Sequence, residues 1–180
     1  MTRLLRAAAL FAALMLVTAP PALANRGQPE RQVPFYSVSV GPSVDTTTPP
    51  PSTCPGAMWQ FHSTGMADAS HLGRVSMEVT HCSWSDSPTT GHFGPGTLVY
   101  TAANGDTLTL SQWGTFEVVW TPDSFTSYVT AEWVVIDGTG RFEGATGSGE
   151  ASVVGDLIAS TSSSTYWGTI TYDASQAADR

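Results

Sequence analysis

A ten-residue segment in the last third of the chain constrains the fold more than any other feature. It begins at Gly138 and reads Gly-Thr-Gly-Arg-Phe-Glu-Gly-Ala-Thr-Gly, with four glycines spaced around one phenylalanine. Glycine adopts positive φ and allows close backbone approach, so Gly138 and Gly140 predict a tight reversal. Gly144 and Gly147 predict bulges in a curved sheet, and Phe142 is expected to anchor the turn to a core. The segment indicates a bent β-sheet rather than a catalytic apparatus.

The rest of the chain after the N-terminal region shows strand signals and almost no helix signals. Hairpin signals at Asn104-Gly105 and Pro122-Asp123 separate alternating segments, and residues 107–120 are interpreted as one long strand bent at Gly114. The predicted strands are 35–40, 58–64, 74–82, 97–101, 107–120, 128–136, 145–154 and 165–172. Residues 41–52, rich in proline and threonine, are predicted to be a connector that cannot hold a central strand.

Eight strands in up-and-down order predict an all-β fold, a single eight-stranded antiparallel β-barrel. Eight strands are enough for a sheet to close on itself and remove its edges. A two-sheet β-sandwich is the alternative.

The N-terminal 24 residues are typical of a secretory signal. Arg3 and Arg6 precede an apolar run from Ala7 to Val17, and Ala22-Leu23-Ala24 provides the small residues for cleavage after Ala24. We therefore expect a protein secreted to the extracellular space or the periplasm, with no membrane span once the signal is removed. The predicted organisation is a signal peptide at 1–24, an N-terminal segment with one strand and the connector at 25–56, a barrel core at 57–173 and a C-terminal tail at 174–180.

The charge of the chain argues against one class of partner. All seven basic residues are arginine, and removal of the two in the signal leaves five against fifteen acidic residues, a net charge of −10. Nucleic-acid binding requires clustered cations that release counterions from the phosphate backbone. The remaining arginines are scattered along the chain, so we expect no nucleic-acid partner.

Cys54 and Cys82 are the only cysteines. In an exported protein an even pair predicts a disulfide, with two free thiols as the alternative. An antiparallel hairpin turning around Asp68 would place Cys54 opposite Cys82 and Trp59 opposite Met77. The same register predicts an apolar face formed by Trp59, Phe61, Val75, Met77 and Val79.

Several motifs carry a resemblance to known families. The pattern Gly138-Thr139-Gly140-x-Phe142-x-x-Ala145-x-Gly147 resembles the signature turn of plant dirigent proteins and allene oxide cyclases, although dirigent proteins carry arginines where this chain has Glu143 and Thr146. Residues 57–172 more closely resemble a group of uncharacterised secreted bacterial proteins. The resemblance implies an eight-stranded antiparallel barrel. Its motif residues are turn and packing residues: His71, Leu72, Gly73, Asn104, Gly105, Asp106, Gly138, Gly140, Phe142, Gly144 and Gly147.

No catalytic constellation is evident in the sequence. The histidines lack the spacing with which one element places two imidazoles on a metal, so neither a metal nor a cofactor is expected. The weak catalytic candidates are Glu117, Glu132 and His81, because an inward carboxylate in an apolar strand would be desolvated. Alternation places Glu132 on the outside if Trp133 points inward. His71 and Asp106 are interpreted as structural turn residues.

The aromatic content is the better functional indication. Six candidate residues either line a cavity for one small ligand or plug the barrel: Trp59, Phe61, Met77, Trp113, Trp120 and Trp133. The leading hypothesis is a non-catalytic binder of a small apolar or aromatic molecule or of a surface partner. The resemblance to allene oxide cyclases implies the alternative, a cofactor-free isomerase or cyclase that holds a reactive substrate in one conformation. A filled barrel with a purely structural role is the third reading.

Overall fold

The computed structural model of the protein describes residues 32–47, of which 41–47 by their backbone alone, and residues 52–173. The predicted signal peptide and C-terminal tail lie outside these residues. Eight antiparallel strands close into one barrel, each paired with its neighbours in sequence and β1 with β8. The strands are β1 Gln32–Thr47, β2 Trp59–Ala69, β3 Gly73–Ser85, β4 Thr90–Ala102, β5 Thr107–Thr121, β6 Ser124–Gly138, β7 Thr146–Asp156 and β8 Thr161–Thr171. The predicted eight-stranded up-and-down barrel is therefore confirmed, and the sandwich is not formed.

The register of the β2–β3 hairpin differs from the prediction. The turn lies at residues 70–72, so Trp59 pairs with Ser83 and not with Met77. His71 (φ 67°) and Gly73 (φ 76°) supply the left-handed backbone of this turn, which alternation does not reveal. The predicted centre at Asp68 was wrong by three residues. The pairing shifts by an even number of positions, so the same side chains still face inward.

The disulfide between Cys54 and Cys82 is confirmed, with the two Cα atoms 5.5 Å apart. The predicted strand register does not produce it, since Cys82 pairs with Gln60 and Cys54 lies before β2. The bond instead ties the turn around Cys54 to β3. The backbone amide of Met58 reinforces this contact by donating to the carbonyl of Ser83 at 2.8 Å.

β1 extends into the predicted connector. Residues 41–47 continue the strand in a closed barrel, so the prediction of a connector that cannot hold a central strand was wrong for these residues. Pairing with β2 is irregular between Ser39 and Ser43, and pairing with β8 is irregular between Val40 and Ser43. Pro42 falls within this irregularity. Proline has no backbone N–H to donate to a neighbouring strand, so it is tolerated at such a bulge.

The glycine-rich segment closes one end of the barrel. Gly140 has a φ of 61° and begins a short 3-10 turn, Gly140–Phe142, whose phenylalanine is fully buried. Gly144 (φ 72°) lies in the same connection, and Gly147 pairs regularly with Ile170 in β7–β8. The predicted bulges at Gly144 and Gly147 were therefore wrong. Gly147 is needed for close strand approach, because an added Cβ would overlap the carbonyl oxygen of Thr169.

The interior is filled at this closed end and open at the other. The connections at residues 70–72, 103–106 and 139–145 lie at the closed end, and those at 86–89, 122–123 and 157–160 lie at the open end. The largest fully buried side chains pack in the closed half: Trp133, Tyr100, Phe35, Phe142, Leu98, Leu108, Leu110 and Ile170. The packed side chains of the closed half stabilise the fold, and the open half retains a space between its side chains.

Candidate functional site

A cavity of about 330 Å³ occupies the open half of the barrel. It receives the inward side chains of successive strands, as period-two alternation requires. Aromatic and long apolar side chains form most of its wall, among them Trp59, Phe61, Met77, Phe93, Phe116 and Phe125. A concave, mostly apolar space of this volume falls within the range of small-molecule sites.

The mouth of the cavity combines aromatic and apolar side chains with hydroxyl residues, which are Ser160, Thr161 and Ser162. Trp59 begins β2, and its ring centroid lies 6.1 Å from that of Phe116 on β5. Leu157 follows β7 and donates its backbone amide to the carbonyl of Phe125 at 2.8 Å, which joins two connections at the rim. A ligand entering from this end would therefore meet both apolar side chains and hydroxyl groups.

Polar groups lie deeper in the cavity. The phenol of Tyr166 donates to Oε1 of Gln112 at 2.8 Å across the barrel, although these residues are 54 positions apart in sequence. The hydroxyls of Ser39 and Ser164 form a buried hydrogen bond of 2.7 Å. Burial raises the pKa of Tyr166 well above its usual range, so its phenol stays neutral. The floor is consequently polar but uncharged.

His81 is the one weak catalytic candidate that lies in the cavity wall. Its ring stacks on Phe61 with centroids 4.6 Å apart and contacts Phe93 at 4.4 Å. Desolvation lowers the pKa of His81 to about 4, although a hydrogen bond at the Cys82 backbone opposes the shift. The imidazole is therefore neutral at pH 7, where it shares a 3.1 Å hydrogen bond with the Ser83 hydroxyl.

Glu117 and Glu132 lie on the outer surface and are exposed. Alternation predicts this position for Glu132, because Ala131 and Trp133 on either side of it are buried. Neither carboxylate reaches a molecule held in the cavity, so neither can serve it as an acid or a base.

The structure places the predicted cavity residues in four different positions. Trp59, Phe61 and Met77 line the cavity. Trp133 points inward but is buried in the filled half, where it packs 5.4 Å from the ring of Phe35. Trp113 lies on the outer surface, 38% exposed, so its prediction as a cavity residue was wrong. Trp120 lies on the inward face of β5 but at the rim of the open end, outside the cavity lining, where it is 78% exposed and its ring is 5.4 Å from that of Phe125. On β5, the side chain of Gln112 points inward and lines the cavity. Because successive side chains of a strand point to opposite faces, the neighbouring Trp113 points outward.

Sequence reasoning missed Ser63, Gln112 and Tyr166 as cavity residues. Ser63 follows Trp59 and Phe61 at the next position of the same alternation, so its inward direction could have been predicted from them. Gln112 gave no such signal, because a polar residue beside a tryptophan favours the opposite orientation.

The motif residues build the closed end and lie away from the cavity. His71 donates from Nε2 to the Pro34 carbonyl at 2.8 Å. Asp106 is 4% exposed and accepts from the Asn104 amide at 3.0 Å and from the Arg141 backbone amide at 3.4 Å. This carboxylate thereby joins the β4–β5 turn to the glycine-rich connection. These contacts support the structural interpretation of His71 and Asp106.

In residues 32–47 and 52–173, no group of three or more His, Cys, Asp or Glu side chains is arranged to hold a metal ion. The same residues form no helix long and apolar enough to cross a membrane.

Comparison with known proteins gives structural similarity only. No protein-family model matches the chain, and no curated protein matches it significantly. One similar solved structure is the pterocarpan synthase dirigent protein GePTS1, at 15% identity and a TM-score of 0.47 over 88% of this chain and 99% of that chain. Another is the pterocarpan synthase dirigent protein PsPTS1, at 14% identity and a TM-score of 0.47 over 79% of this chain and 94% of that chain. The barrel assignment rests on the strand pairing of the chain itself.

The neutral state of His81 predicts a pH-dependent stability. Its pKa of about 4 in the folded state lies below the 6.5 of a free histidine, so the unfolded chain binds the proton first as the pH falls. Stability should therefore decline between pH 6.5 and pH 4, with about 2 kcal/mol attributable to this residue. Urea unfolding at pH 7 and pH 4.5 measures the effect.

The matched variants are His81→Gln and His92→Gln, since His92 is an exposed histidine paired with Asp86 on the outer surface. We expect His81→Gln to lose less stability on acidification than the wild type, whereas His92→Gln should not show this protection. Equal pH dependence in the wild type and His81→Gln would contradict the assignment.

Proposed function

We propose that this chain is an exported β-barrel protein that binds one small apolar or aromatic molecule in the open half of its barrel, without catalysing a reaction. The observation that carries the proposal is the mostly apolar cavity of about 330 Å³, whose wall is rich in aromatic side chains. Apolar cavities of about 150 Å³ accept benzene, so this one has room for a molecule of roughly two rings. Export is supported by the signal-like N-terminus and is compatible with the disulfide.

The tight packing of the closed half indicates that the space in the open half is a binding site and not a general packing defect. Protein interiors are close-packed, and a void of this size forfeits dispersion contacts around its lining. Large aromatic side chains fill the closed half, as Trp133 and Tyr100 show, whereas those of the open half surround a space. An open space next to a tightly packed half of the barrel is the arrangement expected of a ligand site.

Two neighbouring valines on β7 allow a matched test. Val153 lines the cavity, whereas Val154 is 40% exposed on the outer surface. Val153→Phe places a ring in the cavity and should weaken binding of biphenyl by about tenfold or more, because little free volume remains for a two-ring molecule. Val154→Phe should leave the affinity unchanged. Isothermal titration calorimetry on the mature protein measures both.

Folding of each variant is checked by its circular dichroism spectrum and melting temperature. The proposal fails if biphenyl and other two-ring hydrocarbons do not bind the wild type. It also fails if both valine variants bind as the wild type does, since the ligand would then lie elsewhere.

A cofactor-free isomerase or cyclase is the second candidate function, and the position of His81 is the observation that favours it. His81 is a titratable side chain in the cavity wall, held between two aromatic rings. A rigid cavity of this kind could accelerate a cyclisation by holding a reactive substrate in one conformation. An unsaturated epoxide that cyclises spontaneously serves as the probe: acceleration over buffer that His81→Asn abolishes would support this candidate, and no acceleration would reject it.

A further inference from the structure

The outer face of the barrel carries a groove bordered by two tryptophans. Trp113 on β5 pairs with Glu132 on β6, and Trp167 on β8 pairs with Glu150 on β7. Glu132 and Glu150 pair with each other, so the four residues form one row across neighbouring strands. All four are exposed and line a groove of about 570 Å³, which we call the outer groove. It has two carboxylates at its centre and an indole on each side.

Short side chains form the base of the outer groove next to this row. Thr115, Thr130 and Ser152 occupy outward positions of β5, β6 and β7 and line the groove. The hydroxyls of Thr115 and Thr130 share a hydrogen bond of 3.2 Å. Three strand spacings, roughly 14 Å, separate the tryptophans of the row. A small molecule can therefore lie on this base between the two indoles.

The two carboxylates of the outer groove have no positive partner. Glu132 and Glu150 make no ion pair or hydrogen bond to any residue that the structure describes. The chain has no lysine, and no arginine is among the described residues that line the groove. The imidazole of His92, also in the lining, is held by Asp86 at 2.9 Å. Like charges directly opposite each other on neighbouring strands are destabilising, so a cation bound between them would relieve this repulsion.

The flanking indoles favour the same kind of ligand. Trp113 and Trp167 are 38% and 39% exposed, and neither ring contacts another aromatic ring in the part of the chain that the structure describes. The face of an aromatic ring attracts a cation within about 6 Å, and tryptophan does so most strongly. A neutral apolar molecule would also pack on the indoles, but it would leave the repulsion between the carboxylates in place.

We propose that the outer groove binds a small organic cation, with its ammonium group at Glu132 and Glu150 and its alkyl groups against the flanking indoles. Charge complementarity selects a cation, and the indoles select one with apolar substituents, such as a quaternary ammonium compound. This site is independent of the barrel cavity, because the row faces outward and none of its four residues lines that cavity.

Choline and 3,3-dimethylbutan-1-ol are matched probes, since the alcohol has carbon in place of the quaternary nitrogen and no charge. An NMR titration of the chain without its predicted signal peptide follows the six indole N–H resonances, which single tryptophan-to-phenylalanine variants assign. We expect choline to shift the resonances of Trp113 and Trp167 saturably and to leave that of Trp59 unchanged. The neutral alcohol should bind at least about tenfold more weakly.

Two double variants with the same change of net charge locate the site. Glu132→Gln, Glu150→Gln removes the central carboxylates and should weaken choline binding about tenfold or more. Glu117→Gln, Glu143→Gln removes two exposed carboxylates that do not line the outer groove, and it should change the affinity by less than about twofold. Val153→Phe, which fills the barrel cavity, should leave choline binding unchanged.

Four results overturn the proposal while leaving the proposed cavity function intact. Equal affinity for choline and the neutral alcohol would show that charge contributes nothing, and equal losses in the two double variants would show an effect of net charge alone. Absence of any shift of the Trp113 and Trp167 resonances would show that choline does not bind there. Shifts of these resonances with protein concentration alone would assign the face to a second copy of the chain.

The double variant at the centre of the groove is expected to fold. Glu132 and Glu150 are exposed, and their replacement by glutamine removes a like-charge pair without changing the shape of the side chains. Its melting temperature should be equal to or higher than that of the wild type. A lower melting temperature would contradict the repulsion between the carboxylates on which the proposal depends.

Discussion

Gly140→Val is expected to lower the free energy of unfolding by about 4 kcal/mol or to prevent folding. Gly140 has a φ of 61°, a conformation that costs an L-residue about 1–2 kcal/mol and a β-branched one more. An added Cβ would also overlap the carboxylate of Asp106. Displacement of that buried carboxylate would break its contacts with Asn104 and Arg141, which join two connections at the closed end.

Gly144→Val is the matched control for this prediction. Gly144 has a similar φ of 72°, but an added Cβ would meet nothing within 4 Å. Gly144→Val should therefore lower the free energy of unfolding only by the cost of the left-handed conformation, about 2 kcal/mol. Urea unfolding of both variants separates the two contributions. Equal losses at the two positions would show that the contact with Asp106 contributes nothing.

The double variant Cys54→Ala, Cys82→Ala is expected to lose about 3 kcal/mol of stability, and its melting temperature should fall by roughly 10 °C. The bond closes a loop with a sequence separation of 28, and its removal restores conformational freedom to the unfolded chain. The barrel should still form, because Cys54 lies outside the strands and the pairing of β2 with β3 does not depend on it. Circular dichroism melting measures the change.

The wild-type protein with a reducing agent provides the control for the disulfide prediction. Its melting temperature should fall to that of the double variant, whereas the variant should not respond to the reductant. An unchanged melting temperature in the double variant would contradict a stabilising role for the bond.

The period-two pattern of the sequence was enough to predict the barrel and its inward faces, but not the register of every hairpin. Phe61 and Met77 face inward in any register shifted by an even number of residues, so burial alone does not distinguish the predicted pairing from the observed one. The β2–β3 turn is decided by the left-handed backbone at His71. The alternation of apolar and polar residues does not indicate that a histidine adopts that backbone conformation.

The candidate site was less predictable because it depends on contacts across the barrel. Gln112 faces inward, where Tyr166 satisfies its side-chain oxygen, and this places Trp113 outside. Polarity alone favours the reverse assignment, since tryptophan is the more apolar side chain. Whether the interior is open is also a property of volumes summed over eight strands. Trp133 fills one half and Trp59 borders an open one, although the two residues look alike in sequence.

Quenching of intrinsic tryptophan fluorescence during titration of the chain without its predicted signal peptide, with small apolar and aromatic molecules as titrants, tests the central claim most directly. All six tryptophans lie in the described part of the chain, and only Trp59 lines the cavity. The account predicts saturable quenching at one site by molecules of about two rings, with most of the signal lost in Trp59→Phe. No saturable response to any such molecule, or an undiminished response in Trp59→Phe, would contradict a ligand site in the open half of the barrel.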